Sequence, residues 1–410
     1  MLATLELIRE AAQFARVEKL LPRWREFPIY QKTPPENDFF RLPLIGKHEL
    51  RKDFPNNFLR AGQQLDALLE SQSVELVHTS GTSEERTAVL FGRDWWEEQE
   101  ARVLRLNRFV AQVLDENPRA RRATIVPPIC NGLVCFSNYT PRSARTAGTT
   151  LFVNQARIPF LLTDDELARM AGEILEWSPQ FLDLDPVHGA WFALYCERRG
   201  IRFPSVKFIL CSYEFVSVVH RKILQRVFGV PVFNLYGATE AGHLLMENES
   251  GEMKASLENA FYEVLEPDEH GAGDLVVTTL TNHFMPLVRY RVGDLVERCE
   301  QPYKTHYFVH GRSRDILRRR NGRRVTTLEI DRCFAAATGI VHYQFRQSAG
   351  GDCSLRFIPD GENPGVEELE RVKAQLEDLL QLENRITTEA VKMLPPLTSG
   401  KFRLTHQVKM

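Results

Sequence analysis

Four short segments of the sequence carry side chains that can act on an anionic substrate. Their common property is a mixture of small hydroxyl residues, carboxylates and one lysine close to glycines. In chain order they are Thr79-Ser80-Gly81-Thr82-Ser83, Tyr236-Gly237-Ala238-Thr239-Glu240, Tyr290-Arg291-Val292-Gly293-Asp294-Leu295, and Lys401. Hydroxyls and backbone N–H groups bind phosphate, and carboxylates hold Mg²⁺. The residue types therefore point to chemistry on a phosphorylated substrate.

Each segment also has a plain structural interpretation. Ser, Thr and Gly are common in ordinary turns and helix caps, so the turn at 79–83 alone does not establish phosphate binding. It is neither a GxxxxGK loop nor a GxGxxG fingerprint. The acidic turn at 236–240 is equally compatible with a strand-to-helix turn, and Asp294 with a surface ion network. Lys401 alone is an ordinary exposed charge.

Composition limits the class of protein. The chain has 410 residues, 43% hydrophobic and 26% charged, with a formal net charge of −2. These values predict a soluble globular protein with two or three cores and argue against a nucleic-acid partner. Seven scattered cysteines without a CxxC pair predict reduced thiols. The absence of a long apolar run and of a signal-peptide pattern predicts a cytoplasmic protein that does not cross a membrane.

Hydrophobic patterning predicts a sheet with helices between its strands. Buried strands are predicted at 74–77, 123–126, 206–211 and 230–235, and helices at 1–25, 94–115 and 164–176. Strands that alternate with helices indicate βαβ units and a largely parallel sheet. The first part of the chain, up to about residue 310, is therefore predicted to be an α/β domain.

The composition changes in the last third of the sequence. Strands without intervening helices are predicted at 261–265 and 274–280, and a strand pair at 341–347 and 353–358 precedes a helix at 366–383. We therefore predict a large α/β N-terminal domain over 1–310 with mixed or parallel sheets. It includes a small β-rich subdomain at about 260–310. A small, mobile α+β C-terminal domain is predicted over 311–410.

Taken together, the segments resemble the motifs of the adenylate-forming (ANL) superfamily, the AMP-dependent synthetases and ligases. The match of Tyr236–Glu240 to Tyr-Gly-x-Thr-Glu is complete, and Lys401 fits the lysine of Pro-x-x-x-x-Gly-Lys. The stretch 286–295, Pro-Leu-x-Arg-Tyr-Arg-x-Gly-Asp-Leu, is similar to the phenylacetate–CoA ligase branch. The motifs run from residue 79 to residue 401, so the resemblance covers most of the chain.

The resemblance implies a role for each matching residue. Lys401, Thr82 and Glu240 are the implied catalytic residues, with Glu240 as the Mg²⁺ ligand and Asp294 as the acceptor of the ribose hydroxyls. ATP or AMP is implied to bind Thr79, Ser80, Gly81, Thr82, Ser83, Tyr213, Glu214, Tyr236, Gly237, Ala238, Thr239, Asp294, Arg312 and Lys401. Lys401 bridges the substrate carboxylate and the α-phosphate, which favours in-line attack.

The sequence departs from the family pattern at three positions. Glu84 stands where the phosphate loop usually has glycine, and Arg86 where it usually has proline. At the hinge between the two domains, Arg314 replaces the usual Asp or Lys. Glu84 adds negative charge beside a predicted triphosphate site. Nearby, the arginines of 318–324 are interpreted as a solvated face, with CoA phosphates or an acidic carrier as the alternative.

The implied reaction has two steps and several open alternatives. A small-molecule carboxylic acid, expected to be aromatic, reacts with ATP, and a thiol then accepts the acyl group, with CoA as the first candidate. Asn131, Phe136, Tyr139 and Gly237 are the candidate acid pocket, although core packing explains the aromatic residues equally well. A carrier protein or a reductase as acceptor, or a degenerate relative that binds nucleotide without turnover, are the alternatives. A homodimer is a further expectation.

Overall fold

The computed structural model describes residues 2–31, 39–79, 86–128, 140–301, 304–361, 365–382 and 386–408, and for residues 2–11 the backbone only. The chain divides into two compact units. Unit 1 comprises Met1–Ala111 and Leu235–Val309, and unit 2 comprises Gln112–Asn234 and His310–Met410. The predicted domains 1–310 and 311–410 follow a different partition, based on the hinge motif, and stay a prediction.

The described residues form α-helices and β-strands in a mixed α/β arrangement. The helices are α1 Leu2–Trp24, α2 Pro28–Gln31, α3 Lys47–Arg51, α4 Leu65–Glu70, α5 Trp95–Leu104, α6 Arg108–Glu116, α7 Asp164–Trp177, α8 Pro186–Arg199, α9 Val218–Phe228, α10 Thr327–Arg332 and α11 Val366–Leu380. None of these helices combines the length and the apolar composition needed to span a membrane.

The strands follow the same order along the chain. They are β1 Val74–His78, β2 Ala88–Gly92, β3 Arg122–Ile125, β4 Thr146–Ala147, β5 Thr150–Phe152, β6 Phe181–Leu184, β7 Phe208–Cys211, β8 Val232–Ala238, β9 Gly242–Glu247, β10 Met253–Ala255, β11 Ala260–Leu265, β12 Ala272–Thr279, β13 Tyr290–Gln301, β14 Lys304–Arg312, β15 Leu317–Arg318, β16 Arg324–Val325, β17 Ile340–Ser348, β18 Cys353–Pro359, β19 Thr387–Ala390 and β20 Thr405–Val408.

Unit 2 contains the parallel sheet that the alternating pattern predicts. Its strand order is β8-β7-β6-β3-β5, all parallel, with β4 antiparallel at the edge. In the centre Leu182 pairs with Ala123 on one side and with Ile209 on the other. All residues of β6 and β7 are buried, as is usual where helices cover both faces of a parallel sheet. The mixed sheet confirms the predicted α/β class.

Residues 310–410 of unit 2 form a second, smaller sheet. Its order is β19-β18-β17-β20, with β17 and β18 antiparallel and the outer strands parallel to their neighbours. Its core includes Tyr343, Phe345 and Leu355 from the strands and Leu376 from α11. The strand pair and the helix predicted from the sequence lie at β17, β18 and α11. The mobility of this part stays a prediction.

Unit 1 contains antiparallel strands and the β1–β2 hairpin. Strand β11 pairs with β12 and β12 with β13, which accounts for the β-rich stretch predicted after residue 260. Residues 235–238 of β8 pair antiparallel with β9. Tyr290, Leu275 and Leu244 lie in one hydrophobic core with Leu50 from α3.

The prediction of one long helix over 94–115 is wrong. Helix α5 ends at Leu104 and α6 begins at Arg108. The break occurs at Asn107, whose buried side chain accepts a hydrogen bond from the N–H of Val110 (2.9 Å) and donates one to the carbonyl of Glu247 (2.9 Å). An Asn oxygen that binds an N–H group three residues onward starts a new helix. The apolar spacing continues across the break, so periodicity alone did not reveal it.

The cysteines of the described residues are free thiols. Cys196, Cys211, Cys333 and Cys353 are buried, and Cys299 is half-buried. Burial raises the pKa of the Cys196 and Cys353 thiols to about 12. Cys130 and Cys135 lie outside the described part of the chain.

Candidate active site

Glu240 lies at the tip of a tight hairpin in unit 1. Strands β8 and β9 pair Gly237 with His243 and Ala238 with Gly242, so the turn comprises 239–241. A Cβ atom at position 237 would lie 2.5 Å from the carbonyl oxygen of Gly242, which only glycine avoids. The predicted acidic turn is therefore a strand-to-strand turn and not the start of a helix. It presents Thr239 and Glu240 side by side.

The Glu240 carboxylate is buried, and the side chains of Tyr290 and Lys47 contact it. Only 3% of the residue is exposed. The Tyr290 hydroxyl donates a hydrogen bond to Glu240 Oε1 at 2.6 Å, and Lys47 Nζ lies 3.3 Å from the same oxygen. A nearby cation and a hydrogen-bond donor offset the cost of burying a carboxylate. Glu240 is thus placed to hold a cation.

Lys47 is a site residue that the sequence analysis missed. It reaches Glu240 because Ile45 bridges to Tyr290, and the Arg291 N–H donates to the Ile45 carbonyl at 2.9 Å. Helix α3 then begins at Lys47 itself. A lysine in the first turn of a helix opposes the helix dipole. That unfavourable position was the one available signal, and it is weak.

Asp294 and Tyr236 form a second carboxylate–tyrosine pair in unit 1. The Tyr236 hydroxyl donates to Asp294 Oδ2 at 2.6 Å, and Asp294 is 3% exposed. Tyr290 and Asp294 lie on the same strand, β13, while Tyr236 and Gly237 lie on β8. Two motif segments that are far apart in sequence therefore meet at these two strands. The carboxylate predicted to accept ribose hydroxyls is fixed in orientation by the ring predicted to face adenine.

Thr79 directly follows strand β1 and pairs with Thr87, which directly precedes strand β2. Its N–H donates to the Thr87 carbonyl at 2.9 Å, and its Oγ1 accepts from the Thr87 N–H at 3.0 Å. The hydroxyl is thus engaged with the protein's own backbone. The other residues of the predicted phosphate turn, Ser80, Gly81, Thr82 and Ser83, together with Glu84, lie outside the described residues, and Arg86 is exposed.

Lys401 lies in a turn that contacts the 213–214 segment of unit 2. Its Nζ donates to the Tyr213 carbonyl at 2.6 Å, and the N–H of Phe402 donates to Glu214 Oε1 at 2.7 Å. Gly400 has φ +84°, and a Cβ there would lie 2.9 Å from the Pro127 ring. Three residues predicted to surround the nucleotide, Lys401, Tyr213 and Glu214, therefore lie together.

The charge state of Glu214 depends on this contact. Burial raises the pKa of the Glu214 carboxyl well above its usual range, and the negative charge of Asp185 raises it further. The Lys401 ammonium and the Phe402 N–H oppose that rise. Loss of the Lys401 contact is thus expected to favour the protonated form of Glu214.

The predicted hinge lies at the end of β14. Arg312 is the last residue of the strand, and Arg314 is in the short 3₁₀ turn Ser313–Asp315. Arg314 Nε lies 3.8 Å from Asp315 Oδ1, and Arg403 Nε lies 3.3 Å from the same oxygen. Arg403 lies two residues after Lys401, and its contact with Asp315 was not predicted from the sequence. Asp315 therefore links the hinge segment to the Lys401 turn within unit 2.

The predicted site residues fall into three sets. In unit 1 the structure brings together Glu240, Asp294, Tyr236, Gly237, Ala238 and Thr239. In unit 2 it brings together Lys401, Tyr213 and Glu214, with Arg312 and Arg314 in the hinge segment. The predicted acid pocket residues Asn131, Phe136 and Tyr139 lie outside the described residues.

The donor set near Glu240 suits one kind of metal. Among the described residues there is no group of three or more His, Cys, Asp or Glu side chains that could enclose an ion. Mg²⁺ is usually held by one or two carboxylates, with water and substrate phosphates as the other ligands. A single buried carboxylate such as Glu240 fits that pattern. Its role as the metal ligand stays a prediction.

Two curated relatives match part of the chain. Protein CapK of Staphylococcus aureus is 23% identical over 205 residues, which is 48% of this chain and 45% of the relative. Phenylacetate-coenzyme A ligase of Thermus thermophilus is 30% identical over 191 residues, 42% of each chain. The matched stretch spans less than half the length of each relative. No protein-family model matches the chain.

A solved structure matches almost the whole chain. The 2-hydroxyisobutyryl-CoA ligase in the postadenylation state, in complex with R3-HIB-AMP, is 17% identical with a TM-score of 0.71. The match covers 98% of this chain and 90% of that chain. The chain therefore has the fold of the adenylate-forming acyl-CoA ligases, and the resemblance identified from the motifs is confirmed at the level of the fold.

Proposed function

We propose that this protein uses ATP to convert a carboxylic acid into an acyl-adenylate and then transfers the acyl group to a thiol, with CoA as the thiol. The observation that best supports this proposal is the pair of buried carboxylates in unit 1, Glu240 and Asp294. Each accepts a hydrogen bond from a tyrosine hydroxyl at 2.6 Å. Burial of two acids is costly unless hydrogen bonds or ion pairs compensate for it, and such sites are often functional. Their positions in the motifs match the metal and ribose ligands of the family.

Each residue of the first set has a distinct task in this proposal. Asp294 accepts the ribose hydroxyls, and Tyr236 packs beside the adenine while its hydroxyl keeps Asp294 oriented. Glu240 holds magnesium, which when bound neutralises charge on the phosphates. Lys47 places a positive charge 3.3 Å from the Glu240 carboxylate, which offsets part of the cost of burying it. Adenylation of this kind rests on positioning and charge stabilisation.

Lys401 supplies the positive charge between the two reacting anions. A carboxylate and the α-phosphate repel each other, and an ammonium group between them lowers the barrier to attack. The Tyr213 carbonyl holds Lys401 Nζ at 2.6 Å next to the segment predicted to line the adenine. This contact supports a role for Lys401 in the adenylation step.

An aromatic acid is the proposed substrate. The support is the relative that is a phenylacetate-coenzyme A ligase and the similarity of 286–295 to that branch. The predicted pocket residues Asn131, Phe136, Tyr139 and Gly237 remain part of this proposal. A cytoplasmic location and a homodimer stay predictions.

Carboxylate-dependent exchange between ATP and pyrophosphate tests the first step. The protein is incubated with labelled pyrophosphate, ATP, magnesium and each member of a panel of aryl, hydroxy and short aliphatic acids. We expect exchange that requires an acid, with an aryl acid giving the fastest rate. Exchange with an aliphatic acid alone would contradict the aromatic substrate. No exchange with any acid, while ATP still binds, would favour a relative without turnover.

Product analysis tests the second step. The acid that gives exchange is incubated with ATP and either CoA or a phosphopantetheinylated carrier protein, and the products are weighed by mass spectrometry. We expect an acyl-CoA. An acyl-carrier product with no acyl-CoA would instead favour the carrier-protein alternative.

A further inference from the structure

Unit 1 contains an open cleft that none of the predicted adenylate-site residues lines. It has a volume of about 580 Å³ and lies between α1 and the segment that joins β2 to α5. A volume of this size is typical of sites for small-molecule ligands. The cleft is therefore a candidate for a second binding site.

The cleft is strongly basic. Its charged lining comprises five cations, Arg16, Lys19, Arg23, Arg93 and Arg102, and two acids, Asp94 and Glu98. The positive field acts on a neighbour, because the charges of Arg23 and Arg60 add to burial in lowering the pKa of His283. Like charges gathered in one concave surface repel one another, and an anionic ligand relieves that repulsion.

Two of these cations lack a partner among the described residues. In the part of the chain that the structure describes, the side chains of Lys19 and Arg23 make no hydrogen bond or ion pair. Arg102 pairs with Glu98 at 3.0 Å through Nη2, while its Nη1 is buried without a hydrogen-bond partner. Because that atom is buried, the donors that a ligand in the cleft can reach without rearrangement include those of Lys19 and Arg23, both at exposed positions. Donors thus remain available in the cleft.

The cleft also has an apolar wall. Trp95, Phe284, Leu20 and Leu280 line it beside the cations. The indole N–H of Trp95 donates to Thr281 Oγ1 at 2.9 Å, which fixes the ring in orientation. An apolar wall next to unpaired cations suits a molecule that joins a ring to a phosphate.

We propose that this cleft binds a phosphorylated organic ligand of nucleotide size. The phosphate contacts Lys19, Arg23 and Arg102, and the apolar part packs against Trp95 and Phe284. The inference does not rest on the proposed function, since it uses residues outside the adenylate motifs. Inorganic phosphates could bind the same cations, and the test below distinguishes them from an organic phosphate.

Calorimetric titration of the full chain with adenosine 3′,5′-bisphosphate and with pyrophosphate tests the proposal. The test variant is Lys19→Gln/Arg23→Gln, which removes two charges from exposed positions. The matched control is Arg198→Gln/Lys207→Gln, which removes two exposed charges from unit 2. We expect the test variant to bind the bisphosphate at least about tenfold more weakly. The control should bind as the wild type. Equal binding by the test variant would overturn the proposal.

A second variant separates the organic part of the ligand from the phosphate. Phe284→Leu keeps the side chain apolar but removes the ring. We expect this variant to bind the bisphosphate several-fold more weakly and to bind pyrophosphate as the wild type does. If it changes neither, the cleft is a site for inorganic phosphate and the organic part of the proposal is wrong. A higher salt concentration should weaken the binding of both ligands to the wild type, because the contacts are ionic.

Discussion

At the scale of single residues, the central feature of unit 1 is how two buried carboxylates are held. Tyr290 donates to Glu240 and Tyr236 donates to Asp294, each at 2.6 Å. A neutral hydroxyl orients a carboxylate without cancelling its charge, so both acids keep their capacity to bind a cation or hydroxyl groups. Lys47 also places a positive charge 3.3 Å from Glu240 Oε1. The two acids are thus oriented in the same way, each by a tyrosine hydroxyl.

Replacement of Glu240 by glutamine should abolish adenylation while the fold is retained. The amide oxygen still accepts from Tyr290, but the negative charge needed for magnesium is lost. We expect acid-dependent ATP–pyrophosphate exchange to fall by at least about a hundredfold, about 2.7 kcal/mol in the barrier. Glu258→Gln, at an exposed position, is the matched control. Exchange near the wild-type rate in Glu240→Gln would remove Glu240 from the metal role.

Replacement of Lys401 by alanine should affect the two half-reactions differently. The ammonium group is proposed to act only while the acid attacks ATP, so exchange should fall by at least about a hundredfold. Thioester formation from a supplied acyl-adenylate should stay within a few-fold of the wild type. Lys392→Ala removes an exposed lysine nine residues earlier and serves as the control. Equal losses in both half-reactions would argue against this division of labour.

At the scale of the elements, buried polar side chains decide where helices begin. Asn107 starts α6 through the N–H of Val110, and Asp331 accepts from the Ser217 hydroxyl and from the Val218 N–H (2.9 Å) at the start of α9. Tyr343 on β17 also donates to Asp331 at 2.8 Å. These contacts join elements that are distant in sequence. They lie outside any catalytic motif.

Replacement of Asn107 by alanine should destabilise the protein measurably. The change leaves the Val110 N–H and the Glu247 carbonyl without their partner in a buried position. We expect the free energy of unfolding to fall by about 1–3 kcal/mol, measured by urea denaturation. Gln112→Ala, at an exposed position of the same helix, should change it by less than about 0.5 kcal/mol. Similar effects of the two changes would contradict the capping role.

Asp331 should make stability depend on pH. Burial raises the pKa of its carboxyl from 3.8 to about 6, although Ser217 and Val218 oppose the rise. Between those values the folded protein binds more protons than the unfolded chain, so the free energy of unfolding falls as pH rises. From pH 5 to pH 7 the expected loss is about 1 kcal/mol. In Asp331→Asn the free energy of unfolding, measured by urea denaturation, should no longer fall in this way between pH 5 and pH 7. If this free energy changes with pH in parallel for the variant and the wild type, the prediction is wrong.

Sequence patterns predicted those elements whose signal is local. Strands β3 and β7 appear as short apolar runs, and α11 has a regular apolar stripe. Strand β6 was missed because Asp183 interrupts its apolar run, although Asp183 is only 5% exposed and accepts from the Ser212 hydroxyl at 2.8 Å. Similarly, Glu240 and Asp294 stand in motifs, whereas Lys47 reaches the site through a bridge between Ile45 and Tyr290. Contacts of that kind depend on tertiary structure and leave no local pattern.

At the scale of the whole molecule, residues of the predicted nucleotide site come from segments spread between 79 and 401. In the proposed function no single segment binds the nucleotide alone, so a ligand that contacts several of them would stabilise the folded chain against the unfolded one. Binding to the folded state alone raises stability in proportion to the logarithm of the ratio of ligand concentration to Kd. The proposed function therefore has a thermal consequence.

A non-hydrolysable acyl-adenylate analogue should raise the midpoint of thermal unfolding. At a hundred times its Kd the gain is about 2.7 kcal/mol, which corresponds to roughly 5 °C or more for a domain of 150–250 residues. Asp294→Asn should reduce the shift at the same analogue concentration, because one ribose contact is weakened. Glu258→Gln again provides the control. An unchanged midpoint for the wild type at saturating analogue would contradict nucleotide binding.

The buried thiols make the chain suitable for site-directed fluorescence labelling. At pH 7 a thiol with a pKa of about 12, such as Cys196 or Cys353, is ionised in only about one molecule in 100,000, and thiolate is the form that reacts with maleimide dyes. A cysteine introduced at the exposed position of Lys392 would therefore be modified far faster than either. With Cys130, Cys135 and the half-buried Cys299 changed to serine, a dye at position 392 would report on changes in its own surroundings as ATP and acid are added.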